Sequence, residues 1–222
     1  MAVRRPLGRR GRTTPVPGRH FDDGRTLHAF AGRVAVRCHR CDTPGWVVAS
    51  WQPHRWTARF RCTGCSVALD SGAWVGAVRI DGRRPCGYCG HQWVCVHQHR
   101  PSATTAVPEV LPAKCAQCGR TSEVKVSVCP LRSAEPADPH FGLPLRLVEP
   151  TRAGLLWAYN AEHLQVLHEY ATSALREHGG VHNASMFSRL PQWMKLARNR
   201  VLLQRAVERL QRRLLQGDAV RR

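Results

Sequence analysis

The chain is poor in acidic residues, in aromatic residues and in long apolar runs. It has 15 Asp and Glu against 34 Lys and Arg among 222 residues, and 7% of its residues are aromatic. Two-metal nuclease chemistry needs clustered carboxylates, so their scarcity disfavours that class of enzyme. No stretch approaches the roughly 20 apolar residues of a membrane-spanning helix, and no apolar signal segment opens the chain. We therefore expect no membrane association.

Sequence motifs of three common enzyme classes are also missing. The chain has no Gly-x-x-x-x-Gly-Lys phosphate loop, no His-Glu-x-x-His metalloprotease motif and no Gly-x-Ser-x-Gly nucleophile turn. A closed four-thiolate metal site leaves no open position for a reacting water. We therefore predict that the protein is not an enzyme, that it has no catalytic residues and that it takes no small-molecule substrate.

Cysteine is present in a regular pattern. Eight of the 10 cysteines form four Cys-x-x-Cys pairs. This spacing lets both sulfur atoms reach one tetrahedral ion from a single tight turn, and two such turns complete a structural zinc site. The predicted ligands are Cys38, Cys41, Cys62, Cys65, Cys86, Cys89, Cys115 and Cys118. We predict two structural Zn²⁺ ions and a cytoplasmic location, because a reducing compartment lets paired cysteines bind metal.

The spacing of the four pairs leaves their partnership open. Loops of 20, 20 and 25 residues separate successive pairs. A ribbon joins the first pair with the second and the third with the fourth, whereas a cross-braced site of RING type interleaves them. Cross-braced sites have their second and third pairs nearly adjacent, so the long gap between Cys65 and Cys86 favours sequential ribbons.

Two of the cysteine turns read Pro85-Cys86-Gly87-Tyr88-Cys89-Gly90 and Cys115-Ala116-Gln117-Cys118-Gly119, and short strand patterns follow them. These turns resemble the knuckles of zinc ribbons of the transcription-factor-IIB type. Gly90 and Gly119 suit the left-handed position that closes a knuckle, and Asp42 and Ser66 take that place in the first module. Residues 141–145, 156–164 and 188–195 are similar to bacterial proteins with a helical region after such knuckles. The resemblance implies architecture and metal binding, and no activity.

The pattern along the chain predicts a small metal-stabilised α+β fold. Short alternating apolar runs flank the cysteine pairs, and prolines then separate them from residues at helical spacing. We expect two tandem β zinc ribbons followed by a small α-helical C-terminal region. The predicted segments are a disordered Arg-rich N-terminal tail (1–32), ribbon 1 (33–80), ribbon 2 (81–130), a Pro-rich linker (131–150), the helical region (151–217) and a basic tail (218–222).

The predicted helical region has clear start signals. Asn160 suits the N-cap of a helix that runs to about His178 and stops at Gly179-Gly180, and Pro191 suits the first turn of a short helix. Leu203, Val207, Leu210 and Leu214 form the apolar stripe of a final helix that ends at Gly217. We expect this region to pack against ribbon 2 or another subunit, because it is too small to bury a core alone.

Cysteines and histidines outside the eight ligands have simpler expected roles. Cys95 and Cys129 lie in apolar strand-like runs and are predicted to be small core residues. His39 and His91 stand beside ligands, but four cysteines already complete each site. Trp51, Trp56 and Tyr88 are candidates for stacking on unpaired bases, and the alternative is that ribbon tryptophans such as Trp46 or Trp56 fill a small core.

The net charge of +19 is concentrated at the two ends, with +6 in residues 1–33 and +8 in residues 181–222. Such a charge favours polyanionic partners. The predicted nucleic-acid-binding residues are Lys195, Arg198, Arg200, Arg205, Arg209, Arg212 and Arg213, of which four recur at spacings that share one helical face. We expect DNA or RNA binding mainly through backbone phosphates. The alternative is a scaffold or adaptor docking onto a larger protein complex.

Overall fold

The computed structural model describes residues 19–131, 136–177 and 185–219, which form short strands followed by helices. The strands are β1 Arg19–Phe21, β2 Arg33–Arg37, β3 Pro44–Gln52, β4 Arg55–Arg61, β5 Ala68–Asp70, β6 Val78–Arg84, β7 Val94–Arg100, β8 Val110–Lys114, β9 Thr121–Lys125, β10 Ser127–Pro130, β11 Leu147–Thr151, β12 Gly154–Ala158 and β13 Leu175–Glu177. The α-helices are α1 Ala161–Thr172, α2 Gln192–Lys195 and α3 Arg200–Ala219. Short 3₁₀ turns occupy Leu27–Phe30, Phe187–Arg189 and Ala197–Asn199. The expected small metal-stabilised α+β fold is confirmed, with small sheets, a C-terminal helix and two four-cysteine groups.

The first module is a four-stranded antiparallel sheet in the order β2, β3, β4, β5. Each of its two cysteine pairs lies where one strand turns into the next, between β2 and β3 and between β4 and β5. Val34, Val36 and Phe60 are buried on the sheet, where β-branched and aromatic residues pack well. These side chains direct the sheet to a core, and both cysteine pairs lie in the turns that connect its strands.

The second module combines a three-stranded sheet, in the order β10, β6, β7, with the hairpin β8–β9. Its separate core contains Val78, Ile80, Val94, Val96 and Val124. The predicted boundary between the ribbons at residues 80 and 81 is wrong, because β6 begins at Val78 and pairs with both β7 and β10. The alternating apolar residues Val124, Val126 and Val128 do not belong to one strand, since β9 pairs with β8 and β10 with β6.

One hydrophobic core joins the first module to the C-terminal region. It contains Val36 and Phe60 of the first sheet together with Leu164 of α1 and Leu203 and Leu210 of α3. The expectation that the C-terminal region packs against ribbon 2 is therefore wrong. The region is also not entirely helical, because it begins with the antiparallel hairpin β11–β12.

The predicted Pro-rich linker is instead packed against the first module. Phe141, Leu143 and Leu145 are buried in the main core, and a β-bridge joins Leu145 to Val36 of β2. Asp138, which is 1% exposed, organises this segment by accepting hydrogen bonds from the backbone N–H groups of residues 140, 141 and 143 at 2.9, 3.0 and 2.6 Å. Burial raises the pKa of Asp138, and these three donors oppose the rise.

Part of the predicted N-terminal tail is ordered. Residues 1–18 lie outside the described residues, but β1 pairs in parallel with β13, and Phe30 is 1% exposed in the main core. Phe30 stacks on the ring of His163, with centroids 4.8 Å apart. The prediction of disorder is therefore wrong for residues 19–32, because one aromatic anchor and one strand pair hold them on the core.

The C-terminal helices begin as expected and end elsewhere. Asn160 caps α1, because the backbone N–H of His163 donates to its side-chain oxygen at 2.9 Å. The helix ends at Thr172, short of His178, and the predicted Gly179-Gly180 stop lies outside the described residues. Pro191 directly precedes α2, and α3 continues to Ala219. No helix of the described ranges is both long enough and apolar enough to cross a membrane.

Candidate metal centres and basic surfaces

In the second module, both cysteine turns close with the same backbone hydrogen bonds. The N–H of Cys86 donates to the carbonyl of His91 and the N–H of Gly90 donates to the carbonyl of Cys86, at 2.9 and 3.1 Å. The turn at Cys115 repeats this with Arg120 and Gly119, at 2.9 and 3.0 Å. Gly90 and Gly119 have φ angles of 71° and 68°, a left-handed conformation that glycine adopts without steric cost.

The first module reaches similar turns with less suitable residues. Asp42 donates its N–H to the carbonyl of Cys38 and takes a φ of 56°, in the position that Gly90 and Gly119 hold. Ser66 is not among the positive-φ residues of the described chain. Its turn closes through the N–H of Cys62, which donates to the carbonyl of Val67 at 2.9 Å. Aspartate tolerates the left-handed region better than most residues, which explains how the departure from glycine is accommodated at Asp42.

The eight cysteines of the four pairs come together in two groups. One contains Cys38, Cys41, Cys62 and Cys65, the other contains Cys86, Cys89, Cys115 and Cys118, and the sulfur atoms of each group lie within 4.8 Å of one another. The first cysteine pair therefore joins the second, and the third joins the fourth, as in sequential ribbons. The two groups fit two tandem zinc-binding sites.

The sulfur separations fit a single tetrahedral ion. Neighbouring Sγ atoms lie 3.4 to 3.7 Å apart in the first group and 3.7 Å apart in the second. Zn–S bonds of about 2.3 Å in a tetrahedron place sulfur atoms about 3.7 to 3.8 Å apart. A disulfide would bring two sulfur atoms to about 2.05 Å, and all ten cysteines are free. Each group can therefore hold one metal ion.

Hydrogen bonds, burial and neighbouring sulfur atoms shift the pKa values of the thiols in opposite directions. Hydrogen bonds from the side chain and backbone of Thr43 lower the pKa of Cys41 to about 6. The N–H groups of Tyr88 and Cys89 lower the pKa of Cys86 to about 6. The backbone of Val67 favours the thiolate of Cys65, but desolvation and the three neighbouring sulfur atoms raise its pKa to about 12. A thiolate on one cysteine thus disfavours ionisation of the neighbouring thiol, whereas a bound cation favours the ionised form of both.

The two centres differ in what surrounds them. Cys38 belongs to the core that joins the first module to the C-terminal helices, whereas Cys86 and Cys115 belong to the small second core. Loss of metal at the first centre would therefore disturb the main core. Loss at the second centre would disturb mainly the second module, because that core is its own.

The other cysteines and the histidines beside the knuckles are not among the candidate ligands. Cys95 and Cys129 are exposed, so the prediction that they are core residues is wrong. They face outward because Val94 and Val96 take the inward positions of β7 and because β10 is exposed along its length. His39 and His91 belong to neither group of candidate ligands.

The predicted nucleic-acid-binding residues separate into two sets, and the first is engaged within the protein. Lys195 donates to the carbonyl of Ser188 at 2.7 Å, and Arg200 donates to the carbonyl of Ala174 at 3.3 Å. Arg209 and Arg213 both pair with Glu149 of β11, whose side chain is 7% exposed. These four cations hold the C-terminal elements in place.

The second set is Arg198, Arg205 and Arg212, which are exposed. They make no hydrogen bond or ion pair with another residue in the part of the chain that the structure describes. Arg205 and Arg212 are seven residues apart on α3, about two helical turns, and therefore share a face. Arg198 lies just before this helix, in the 3₁₀ turn. The exposed basic face is thus smaller than the sequence predicted.

In the second module, two arginine–aromatic pairs were not predicted from the sequence. The guanidinium of Arg83 lies 4.8 Å from the ring of Trp93, and that of Arg120 lies 5.0 Å from the ring of Tyr88. Both rings are exposed; Tyr88 lies between Cys86 and Cys89, and Trp93 follows the same turn along the chain. Their partners come from another strand or another knuckle, so no local pattern indicates them. In the first module, Trp51 is exposed and packs edge-on against Trp56, which is half-buried.

Comparisons with protein-family models, with curated proteins and with solved structures found no match for this chain. The fold and the two centres describe a small α+β protein with two tandem four-cysteine groups, each of which can hold a metal ion.

Proposed function

We propose that this is a non-enzymatic zinc-ribbon protein that binds nucleic acid mainly through backbone phosphates. The observation that carries the proposal is the exposed arginine face of Arg198, Arg205 and Arg212 in a chain with a net charge of +19. A helix exposed to solvent usually carries charges of both signs, and here Glu208 is the acidic residue between Arg205 and Arg212. Because the three arginines are exposed and make no ion pair within the described residues, their guanidiniums are available to an external anion.

Zinc is the metal that the donor set favours. Four cysteine sulfur atoms at tetrahedral separations are typical of structural zinc sites, and soft thiolate ligands disfavour magnesium and calcium. A closed site of this kind has no open coordination position, which supports a structural role and no catalytic one. The resemblance to ribbons of the transcription-factor-IIB type agrees with the strand and knuckle order of both modules.

Phosphate binding follows from the chemistry of the exposed arginines. Each contact between a guanidinium and a phosphate releases condensed counterions, so affinity falls steeply with salt and depends little on base sequence. The arginine–aromatic pairs of the second module add flat, exposed surfaces on which unpaired bases can stack. These features support DNA or RNA binding with weak sequence preference.

A salt titration of paired variants tests this proposal. We expect the protein to bind a labelled oligonucleotide of about 20 nucleotides at about 50 mM NaCl. Fluorescence anisotropy should show weaker binding by Arg205→Gln/Arg212→Gln than by wild type. The slope of log affinity against log salt concentration should also become shallower by about one unit for each phosphate contact that is lost. The control, Arg55→Gln/Arg59→Gln, makes the same charge change on β4. Absence of binding by the wild type at low salt would refute the proposal, and equal losses in both variants would refute the role of α3.

A second candidate function, a scaffold or adaptor that docks onto a larger complex, is favoured by two apolar residues. Val201 and Leu215 on α3 are 55% and 71% exposed, and their spacing places them on nearly the same face. If the protein is an adaptor, a partner protein should co-purify with it. That interaction should persist at high salt and be lost in Val201→Ser/Leu215→Ser. A partner that depends instead on Arg205 and Arg212 and is released by nuclease would favour the nucleic-acid reading.

A further inference from the structure

Three arginines from separate segments of the chain line one cleft near the first cysteine centre. The cleft has a volume of about 360 Å³ and is lined by Arg37, Leu145, Arg146, Val148, Arg213 and Gln216. This volume lies in the range of about 300 to 1,000 Å³ that ligand sites occupy. Arg37 and Arg146 were not among the residues that the sequence singled out.

Backbone pairing holds the first two arginines in place. Arg37 is the last residue of β2 and directly precedes Cys38. Its N–H donates to the carbonyl of Pro144 at 2.9 Å, and the N–H of Arg146 donates to the carbonyl of Ala35 at 2.9 Å. The two segments therefore run side by side. Because Val36 and Leu145 point into the core, their arginine neighbours alternate toward solvent.

The third arginine reaches the cleft from α3. The guanidinium of Arg213 donates to the carbonyl of Val148 at 3.0 Å and pairs with Glu149. The guanidinium of Arg146 in turn donates to the carbonyl of Arg213 at 3.3 Å. These contacts fix the position of the helix against the cleft and tie the side chain of Arg213 to β11.

The cleft keeps an excess of positive charge. Within the described residues, the ion pairs of Arg37 and Arg213 are with Asp42, at 2.6 Å from Arg37, and with Glu149, which Arg213 shares with Arg209. In these ion pairs three guanidiniums, those of Arg37, Arg209 and Arg213, stand against two carboxylates, which leaves a net charge of +1. The Arg37–Asp42 pair is exposed on both sides, so an incoming anion can displace it at little cost. Excess charge of one sign in a concave site concentrates counter-ions there.

We propose that this cleft binds a phosphate group. Each guanidinium offers five N–H donors in a planar fork that matches phosphate oxygens. Within the described residues, Arg37 has one hydrogen-bond acceptor for its side chain and Arg213 has two, so donors remain on both. The inference deepens the proposed function and rests on it for the source of the phosphate, a backbone phosphate of the bound nucleic acid. A small phosphate ester is the other source of the same chemistry.

An oligonucleotide titration tests the backbone source. Arg37→Gln and Arg146→Gln should each weaken binding of a labelled oligonucleotide of about 20 nucleotides roughly tenfold at about 50 mM NaCl. Each should also lower the log–log salt slope by about one. Arg55→Gln is the matched control, because it makes the same charge change on β4, opposite the far end of β3, which is eight strand positions or roughly 26 Å from the end that pairs with Arg37. Thermal melts of all the variants establish that they fold.

A titration with inorganic phosphate tests the cleft without nucleic acid. The probe is the side-chain Nε–H NMR signals of Arg37, Arg146 and Arg55 in the wild-type protein, assigned from the three Gln variants. Sodium phosphate should shift the Arg37 and Arg146 signals and not that of Arg55, while sodium chloride at equal ionic strength should shift none of them specifically.

The outcomes separate this inference from the proposed function. A selective loss of oligonucleotide affinity with a phosphate-specific shift supports a backbone phosphate site. A phosphate-specific shift without that loss supports a site for a small phosphate ester. If the oligonucleotide does not bind to wild type, the proposed function fails and the phosphate titration alone decides the cleft. Variants that bind like Arg55→Gln, together with no phosphate-specific shift, overturn the inference.

Discussion

Replacing Arg209 and Arg213 together with glutamine removes both cationic partners of Glu149. In the native chain the Arg209 side chain contacts one carboxylate oxygen at 2.5 Å and the Arg213 side chain contacts the other. The carboxylate is 7% exposed, whereas the two arginines are 37% and 49% exposed. The desolvation cost therefore falls mainly on the carboxylate, which the double variant leaves buried between β11 and α3.

The expected loss of stability follows from that burial. Removing the partners of a buried charge costs about 3 to 5 kcal/mol, because an uncompensated ion remains. Either single variant leaves one arginine in place and should cost less, about 1 to 2 kcal/mol. For a chain of this size, each kcal/mol lowers Tm by about 2 to 4 °C. The double variant should therefore melt at least about 6 °C below wild type.

Circular dichroism melts in reducing buffer with zinc provide the assay, and α3 provides the control. Arg205→Gln/Arg212→Gln makes the same change of charge on the same helix at exposed positions, so its stability should stay within about 0.5 kcal/mol of wild type. Adding Glu149→Leu to the Arg209/Arg213 double variant should restore part of the loss, because the buried charge is then gone. Equal melting of the two double variants would refute the assignment of Arg209 and Arg213 to structure.

Three further changes test other parts of the structure. Gly90→Ala should destabilise the second module by about 1 to 2 kcal/mol in denaturant titrations, because the φ of Gly90 is 71°. Gly87→Ala is the control and should be nearly neutral: an added Cβ meets nothing within 4 Å at either glycine, but Gly87 is not among the positive-φ residues. Burial lowers the pKa of His163 from 6.5 to about 4. Between these pH values the unfolded chain binds a proton that the folded chain does not, so the free energy of unfolding falls as pH drops from 6.5 towards 4. Between pH 7 and 5, wild type should lose roughly 2 kcal/mol more of this free energy than His163→Gln. Cys118→Ser should halve the bound metal, and hydrogen exchange should show protection lost in residues 78–130 and retained in α1 and α3, because the second core is separate.

Each of these expectations has a contrary result. Equal effects of alanine at the two glycines would show that the left-handed turn is not under conformational constraint. Parallel pH profiles for wild type and His163→Gln would show that the histidine is not buried in its neutral form. Loss of protection throughout the chain in Cys118→Ser would show that the two cores unfold as one.

The metal sites and the fold class were predictable because their determinants are local. Two residues between cysteines fix both sulfur atoms on one turn, and the cap at Asn160 needs only its own helix. Pairing of the knuckles was not fixed by loop length, and the sulfur geometry decides it. The buried segment from Phe141 to Leu147 does alternate apolar residues, but its prolines resemble those of a linker, and its strand-like pairing with β2 depends on contacts about 110 residues apart in sequence.

The roles of the arginines were less predictable for the same physical reason. Arg205 and Arg209 are indistinguishable by helical spacing, yet one is exposed and the other pairs with Glu149, 60 residues earlier. The cleft of Arg37, Arg146 and Arg213 likewise forms only after β2, β11 and α3 have packed. Local patterns thus indicate where charge is abundant, and tertiary packing decides which charges remain available.

Metal content decides whether the two four-cysteine groups are zinc sites. Protein purified under reducing conditions, without affinity tags that bind metal, should contain two zinc ions per chain by elemental analysis, and native mass spectrometry should show both ions on one molecule. Because binding to such a site contributes roughly 10 to 16 kcal/mol, chelation should unfold both modules. A folded, reduced protein with close to zero zinc per chain would show that the two cysteine groups are not structural zinc sites.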